Sequence, residues 1–208
     1  SVVAVFSEYS LSQVSGAICP NILLRQAGFL DVREINGREY LDIEMSRAFA
    51  MVDHQVAHIY VKKHYEEDVM ELLKKVDGIQ MILTEELQKE YKINHERSGE
   101  LLAVTQPDRW FAYYWWESPE KAPDFAHHMD IHRKPGFDPL ELFFDFENMI
   151  IPTDTSLIKG SHGVPCKEDE RMALLLLNGR NLKDLHMAST IEMVEVAPLL
   201  TDILREEE

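Results

Sequence analysis

The apolar runs of this chain are short, and turn residues close them, which limits it to a fold of short strands and short helices. Val2–Phe6 is a continuous apolar run that stops at Ser7-Glu8-Tyr9-Ser10 and predicts a buried strand. Residues 32–43 alternate around Asn36-Gly37, the favoured two-residue hairpin turn. Residues 66–76 carry Val69, Leu72, Leu73 and Val76 at helical spacing before Asp77-Gly78. Asn21 is expected to cap a helix running to Ala27, with Gly28 as its left-handed stop. A strand over 79–83 precedes a helix over 85–91 capped by Thr84, and two strands over 100–104 and 110–116 are joined at Gln106-Pro107-Asp108. Near the end, an apolar strand over 172–177 stops at Asn178-Gly179-Arg180. Residues 191–197 then lead to Pro198, suited to the first turn of a last helix.

With 208 residues and 45% hydrophobic side chains the chain can bury a real core, as one large domain or as a piece of a larger one. A buried strand at its very start implies an N-terminal portion upstream of Ser1. No apolar run approaches the roughly 20 residues of a membrane span. A net charge of -16 opposes binding to duplex nucleic acid, yet leaves room for a small phosphorylated substrate where a metal makes one cleft locally positive. Cys19 and Cys166 form no C-x-x-C pair and no disulfide framework, so free thiols in a reducing, cytoplasmic compartment are expected.

Five places draw attention as chemistry. In Lys159-Gly160-Ser161-His162-Gly163 a histidine stands between glycines, which let the backbone turn and a ligand approach where a Cβ would obstruct. Glu8 follows the first strand, where open sheets place ligands; a loop carboxylate is the plain alternative. Read as one straight strand, residues 47–61 put Val52, His54, Val56, His58 and Tyr60 on one face. His54 and His58 are then roughly 13 Å apart, too far to share an ion, and Asp53 points to the other face. A bulge would change that geometry. Finally, the long irregular stretch 117–152 holds Asp130, His132, Arg133 and Lys134, able to chelate, to meet phosphate, or merely to pair internally. The aromatic run Trp110, Phe111, Tyr113, Tyr114, Trp115 and Trp116 has rings on both faces, for core packing or for an aryl group of a substrate.

Taken in order, these landmarks resemble the C-terminal half of the alkaline phosphatase superfamily, closest to the type I phosphodiesterase/nucleotide pyrophosphatase group. Residues 2–10 resemble its strand ending in Ser-Asp-His-Gly, here Ser7-Glu8-Tyr9-Ser10. Arg97-Ser98-Gly99-Glu100 before Leu-Leu-Ala-Val resembles its Arg-x-Gly-Asp turn and strand, and Lys159-Gly-Ser-His-Gly163 its final Gly-x-His-Gly. Residues 190–204 are similar to its closing strand, Ala-Pro and helix, and 77–87 to its Pro-Gly-Val lobe. The resemblance implies an α/β fold, an alkaline-phosphatase-like three-layer α/β/α sandwich left incomplete. Residues 1–208 would be its C-terminal part, with 47–116 as a smaller inserted α+β lobe.

It also implies two divalent metal ions, usually zinc, flanking a Thr or Ser nucleophile that lies upstream of Ser1. His162 and Glu8 become metal ligands by this carry-over. Tyr9 stands in place of a histidine ligand and puts the second metal in doubt; Asp130 or His132 is a substitute. The expected activity is hydrolysis of phosphate esters or diesters, with a small phosphorylated or nucleotide substrate. Arg133, Lys134 and the aromatic run would shape substrate access, and the chain alone would be inactive. The alternative is a non-catalytic binding or scaffold module that keeps the fold.

Overall fold

In this computed structural model the described residues are 2–128, 143, 145–165, 172–179 and 188–205. They divide into two compact units, Ser1–Leu11 with Cys166–Glu208, and Ser12–Pro165. The architecture is mixed α/β, with small sheets and four α-helices among the described residues. Asp130, His132, Arg133, Lys134 and Cys166 lie outside the described residues.

In the first unit β1 (Val2–Phe6) pairs antiparallel with a strand over Leu175–Gly179, from Val2 opposite Gly179 to Phe6 opposite Leu175. β1 is a strand as expected, but Val3 and Val5 are more than half exposed, so it is not buried among the described residues. Its partner runs later than the expected 172–177, because the ladder continues through Asn178 to Gly179. The closing strand that the resemblance implies ahead of Ala197-Pro198 is not formed over residues 193–197, which belong to a 13-residue helix, Met193–Arg205, with Pro198 inside rather than in its first turn. The β-branched residues there suggest a strand, but Val196 and Ile203, a helical interval apart, are the positions that are buried.

In the second unit, β2 (Ser12–Gln13) and β3 (Gly16–Ile18) precede α1 (Pro20–Gln26). Gly28, at φ +79°, ends α1 as expected: its N–H and that of Phe29 reach the carbonyls of Arg25 and Leu24. Asn21 is not the cap. It lies inside α1, fully buried, and its Nδ2 donates to the carbonyls of Ala50 and Tyr113 while its Oδ1 accepts from the Ala50 N–H. The hairpin of β4 (Asp31–Ile35) and β5 (Arg38–Asp42) turns at Asn36 and Gly37, both with positive φ.

The span 47–61 is no single strand. β6 (Ala48–Asp53) and β7 (Val56–Val61) form a hairpin whose two-residue turn is His54-Gln55, with His54 at φ +55°. The turn inverts the expected faces. Val52 is opposite Ala57 and Met51 opposite His58, so the alternation that holds within each strand does not run through the turn. α2 (Glu66–Leu73) carries Glu66, Glu67 and Asp68 in its first turn, favourable against the helix dipole, and buries Val69 and Leu73. β8 (Ile79–Leu83), α3 (Glu85–Glu90) after Thr84, and β9 (Leu101–Thr105) follow, completing an antiparallel sheet of order β6-β7-β9-β8.

β10 (Arg109–Phe111) pairs in parallel with β3, and β11 (Gly160–Ser161) antiparallel with β2. The expected strand over 110–116 leaves the ladder after Phe111. Its rings go into the core: Trp110, Phe111, Tyr113, Tyr114, Trp115 and Trp116 are all at most 8% exposed, and those of residues 113–116 meet one another edge-on or stacked. They are covered by protein, and the aryl-substrate alternative for them falls. The main core lies between the sheet, α1, α2 and these aromatics. On the sheet a smaller cluster joins Leu83, Leu102 and Val104, with Val56, Met81 and Val164 packed against it.

Candidate functional site

The Gly-Ser-His-Gly segment is fastened to the β6–β7 turn. Gln55, 1% exposed, is the fastening point. Its backbone N–H donates to the His162 carbonyl at 2.9 Å and its Oε1 accepts from the Val164 N–H. Its Nε2 donates to the carbonyls of Pro107 and Arg109, each at 2.9 Å, and its carbonyl accepts from the Thr105 N–H. The buried side-chain amide thus satisfies polar backbone from two segments, which an apolar side chain could not do. Val164 adds an apolar anchor in the smaller cluster. Gly163 adopts φ +122°, and a Cβ there would stand 3.2 Å from Val56 Cγ2 and 3.3 Å from Gln55 Cβ, so the glycine permits the close approach.

This fastening brings His54 and His162 face to face. Their ring centroids are 4.0 Å apart with planes 30° apart. His54 Nδ1 lies 2.6 Å from Asp53 Oδ1, and the Asp53 carboxyl is held below its ordinary range by that hydrogen bond first and then by the nearby His54, His162 and His58. His58, behind the turn on β7, accepts a hydrogen bond at Nδ1 from the Gly99 N–H. Burial lowers its pKa, opposed by the Asp53 charge. Ser161, next to His162, is 1% exposed, and its Oγ has no hydrogen-bond partner among the described residues.

Of the residues singled out in the sequence, His162 is therefore held in a fixed loop and partly buried. Glu8 and Tyr9 are exposed beyond β1, in the other compact unit. His54 meets His162 and is itself bonded to Asp53. A straight strand would have kept Asp53 and His58 on opposite faces; the turn, which only a hairpin reading of Asp53-His54-Gln55-Val56 reveals, makes the difference. Imidazole and carboxylate are the donor types that suit zinc. Among the described residues, however, no three His, Cys, Asp or Glu side chains are grouped so as to hold an ion. Elsewhere, a cleft of about 660 Å³ is lined by Glu66, Glu67, Glu85, Glu86, Glu96 and Glu100, a wall that repels a phosphate.

The family described as "Type I phosphodiesterase / nucleotide pyrophosphatase" matches residues 1–138, about two thirds of the chain, ending before Gly160. Among curated proteins none matches. Similar solved structures include phosphonoacetate hydrolase from Sinorhizobium meliloti 1021, in complex with phosphonoacetate, at 13% identity and a TM-score of 0.39 over 55% of this chain and 29% of that one. Murine ectonucleotide pyrophosphatase/phosphodiesterase 5 is similar at 17% identity and a TM-score of 0.46 over 86% of this chain and 34% of that one. The chain thus spans about a third of the length of these relatives. No helix among the described residues is long and apolar enough to cross a membrane.

Proposed function

This chain belongs to the type I phosphodiesterase/nucleotide pyrophosphatase family, and from that premise we propose that it is the C-terminal portion of a metal-dependent phosphohydrolase acting on a small phosphorylated or nucleotide substrate. The observation that carries the reading is the fixed Gly-Ser-His-Gly loop, with the His162 imidazole pressed against a second imidazole that a carboxylate holds. In that role His162 is a metal ligand through a neutral ring nitrogen. Gln55 keeps its backbone from moving, which lowers the ordering cost of offering the ring at the moment of binding.

A divalent ion, zinc by preference, supplies charge neutralisation at the phosphoryl oxygens and a lowered pKa for an oxygen nucleophile. That nucleophile, a Thr or Ser, belongs upstream of Ser1, so these residues alone are not expected to turn over substrate. Glu8 as a carboxylate ligand is a separate proposal, carried by the sequence resemblance, as is the part of Asp130, His132, Arg133 and Lys134 in metal or phosphate binding. On the same reading residues 47–116, with the four-stranded sheet, form the inserted lobe. Cytoplasmic residence is a further proposal, carried by a sequence whose two cysteines form no C-x-x-C pair and no disulfide framework.

Tyr9 in the place of a histidine ligand supports the second reading, a binding module that has lost the chemistry. Metal analysis of the purified chain, then bis-(p-nitrophenyl) phosphate hydrolysis by the longer polypeptide and its His162→Ala variant, separates the two. Loss of turnover and of bound metal in the variant is expected. Undiminished turnover sinks the assignment of His162, and an inactive wild type with no bound metal favours the binding module.

A further inference from the structure

We propose that Asp53 and His54 are positioning residues for His162: the carboxylate fixes the His54 ring, and the His54 ring fixes the orientation of the His162 imidazole. The metal-binding part of this inference rests on the proposed ligand role of His162; the positioning itself does not.

Three observations lead there. First, the loop does not need the His54 side chain to stay in place. Gln55 and Val164 already hold its backbone, through the bonds to His162 and Val164 and the packing on Leu83, Leu102 and Val104. Those contacts act on the backbone, and a ring face 4.0 Å away restricts rotation of the His162 side chain about its own bonds. Second, His54 adopts φ +55° at the first central position of a two-residue turn, where glycine is free of strain and a side chain with a Cβ is not. The turn keeps a strained imidazole where an unstrained residue would serve the backbone equally well. Third, that imidazole is not left to rotate. Asp53 Oδ1 at 2.6 Å accepts a hydrogen bond from Nδ1 and directs Nε2 away from the carboxylate, so the tautomer and the orientation of the ring are set together. Asp53 itself is largely exposed, so its carboxylate contributes little to the core and is accounted for by this bond.

The test uses the full chain and its Asp53→Asn, His54→Ala, His54→Phe and His162→Ala variants, each first checked for an unchanged circular dichroism spectrum. Two readouts are taken: the ring resonances of His162 by histidine-labelled NMR in the metal-free chain, and cobalt(II) affinity with its visible spectrum. The expected result is a shift of the His162 resonances in Asp53→Asn and His54→Ala. Cobalt(II) binding is expected to weaken about tenfold or more in both, with a changed absorption band. His54→Phe, which keeps a ring face but not the bond to Asp53, is expected to fall between. If the His162 resonances stay where they are in Asp53→Asn and His54→Ala, the positioning role is overturned, whatever the metal does. If those resonances move but cobalt(II) binds His162→Ala as it binds the wild type, the ligand role of His162 fails while the positioning of its ring stands. Should His54→Ala misfold, Asp53→Asn and His54→Phe decide the matter on the same readouts.

Discussion

Gly99 shows what one residue can fix. A Cβ there would lie 2.6 Å from the Ile59 carbonyl oxygen and 2.7 Å from its nitrogen, and backbone atoms inside a sheet cannot give way as the tip of a long side chain would. The glycine of Arg97-Ser98-Gly99-Glu100 is therefore needed for β7 to pass closely, and its N–H then reaches His58 while Glu100 accepts from the Val61 N–H. Gly99→Ala is expected to cost about 1–3 kcal/mol, the usual penalty of overpacking. A lowered urea midpoint at unchanged slope checks it, and a variant as stable as the wild type would contradict the close approach.

At the scale of elements, two side chains tie neighbours together in ways that pH can read. His58 on β7 accepts from Gly99 at Nδ1, a bond that the doubly protonated ring cannot accept, and burial holds its pKa below the ordinary value. The folded state then binds this proton less readily than the unfolded chain. The contribution of His58 is therefore intact above about pH 6.5 and declines as the pH falls below it. His58→Gln, which can still accept from Gly99, is expected to flatten the fall of thermal midpoint between pH 7 and 5. An equally steep fall would refute it.

Glu39 on β5 has the opposite sign. Its nearly buried carboxylate accepts two bonds from Arg25 of α1, at 2.5 and 2.9 Å, and one from Lys121. Arg25 above all holds its pKa below the ordinary carboxylate range, so its stabilisation is present above about pH 4.3 and lost as the pH drops through the acid range. Glu39→Gln is expected to lose about 1.5–3 kcal/mol at pH 7. That gap from the wild type should narrow on acidification, as chemical denaturation at several pH values would record.

For the whole molecule the excess of acid decides what is kept away. With 37 Asp and Glu against 21 Lys and Arg, no retention on duplex DNA is expected even in about 10 mM salt, where screening is weakest, and a gel shift at micromolar protein checks it. A measurable shift would mean that the charge is segregated into a basic face.

What the sequence determined by itself were features that depend only on near neighbours along the chain. Asn36-Gly37 turns because two adjacent residues accept positive φ, α2 forms because its apolar residues recur at the period of a helix, and Gly28 stops α1 for want of a Cβ. The family likeness belongs to the same level, since it is carried by short motifs in a fixed order. What only the tertiary structure decided depends on partners far away in sequence. Asn21 looks like a cap until Ala50 and Tyr113 claim its amide, and Asp53 and His58 look as if they point to opposite faces until a turn with no glycine in it folds β6 back on β7. Alternation has a period of two on either side of that turn, so the pattern alone cannot tell a long strand from a hairpin. In the hairpin the Gln55 backbone N–H bonds the carbonyl of His162, 107 positions away, a partner that no local pattern announces.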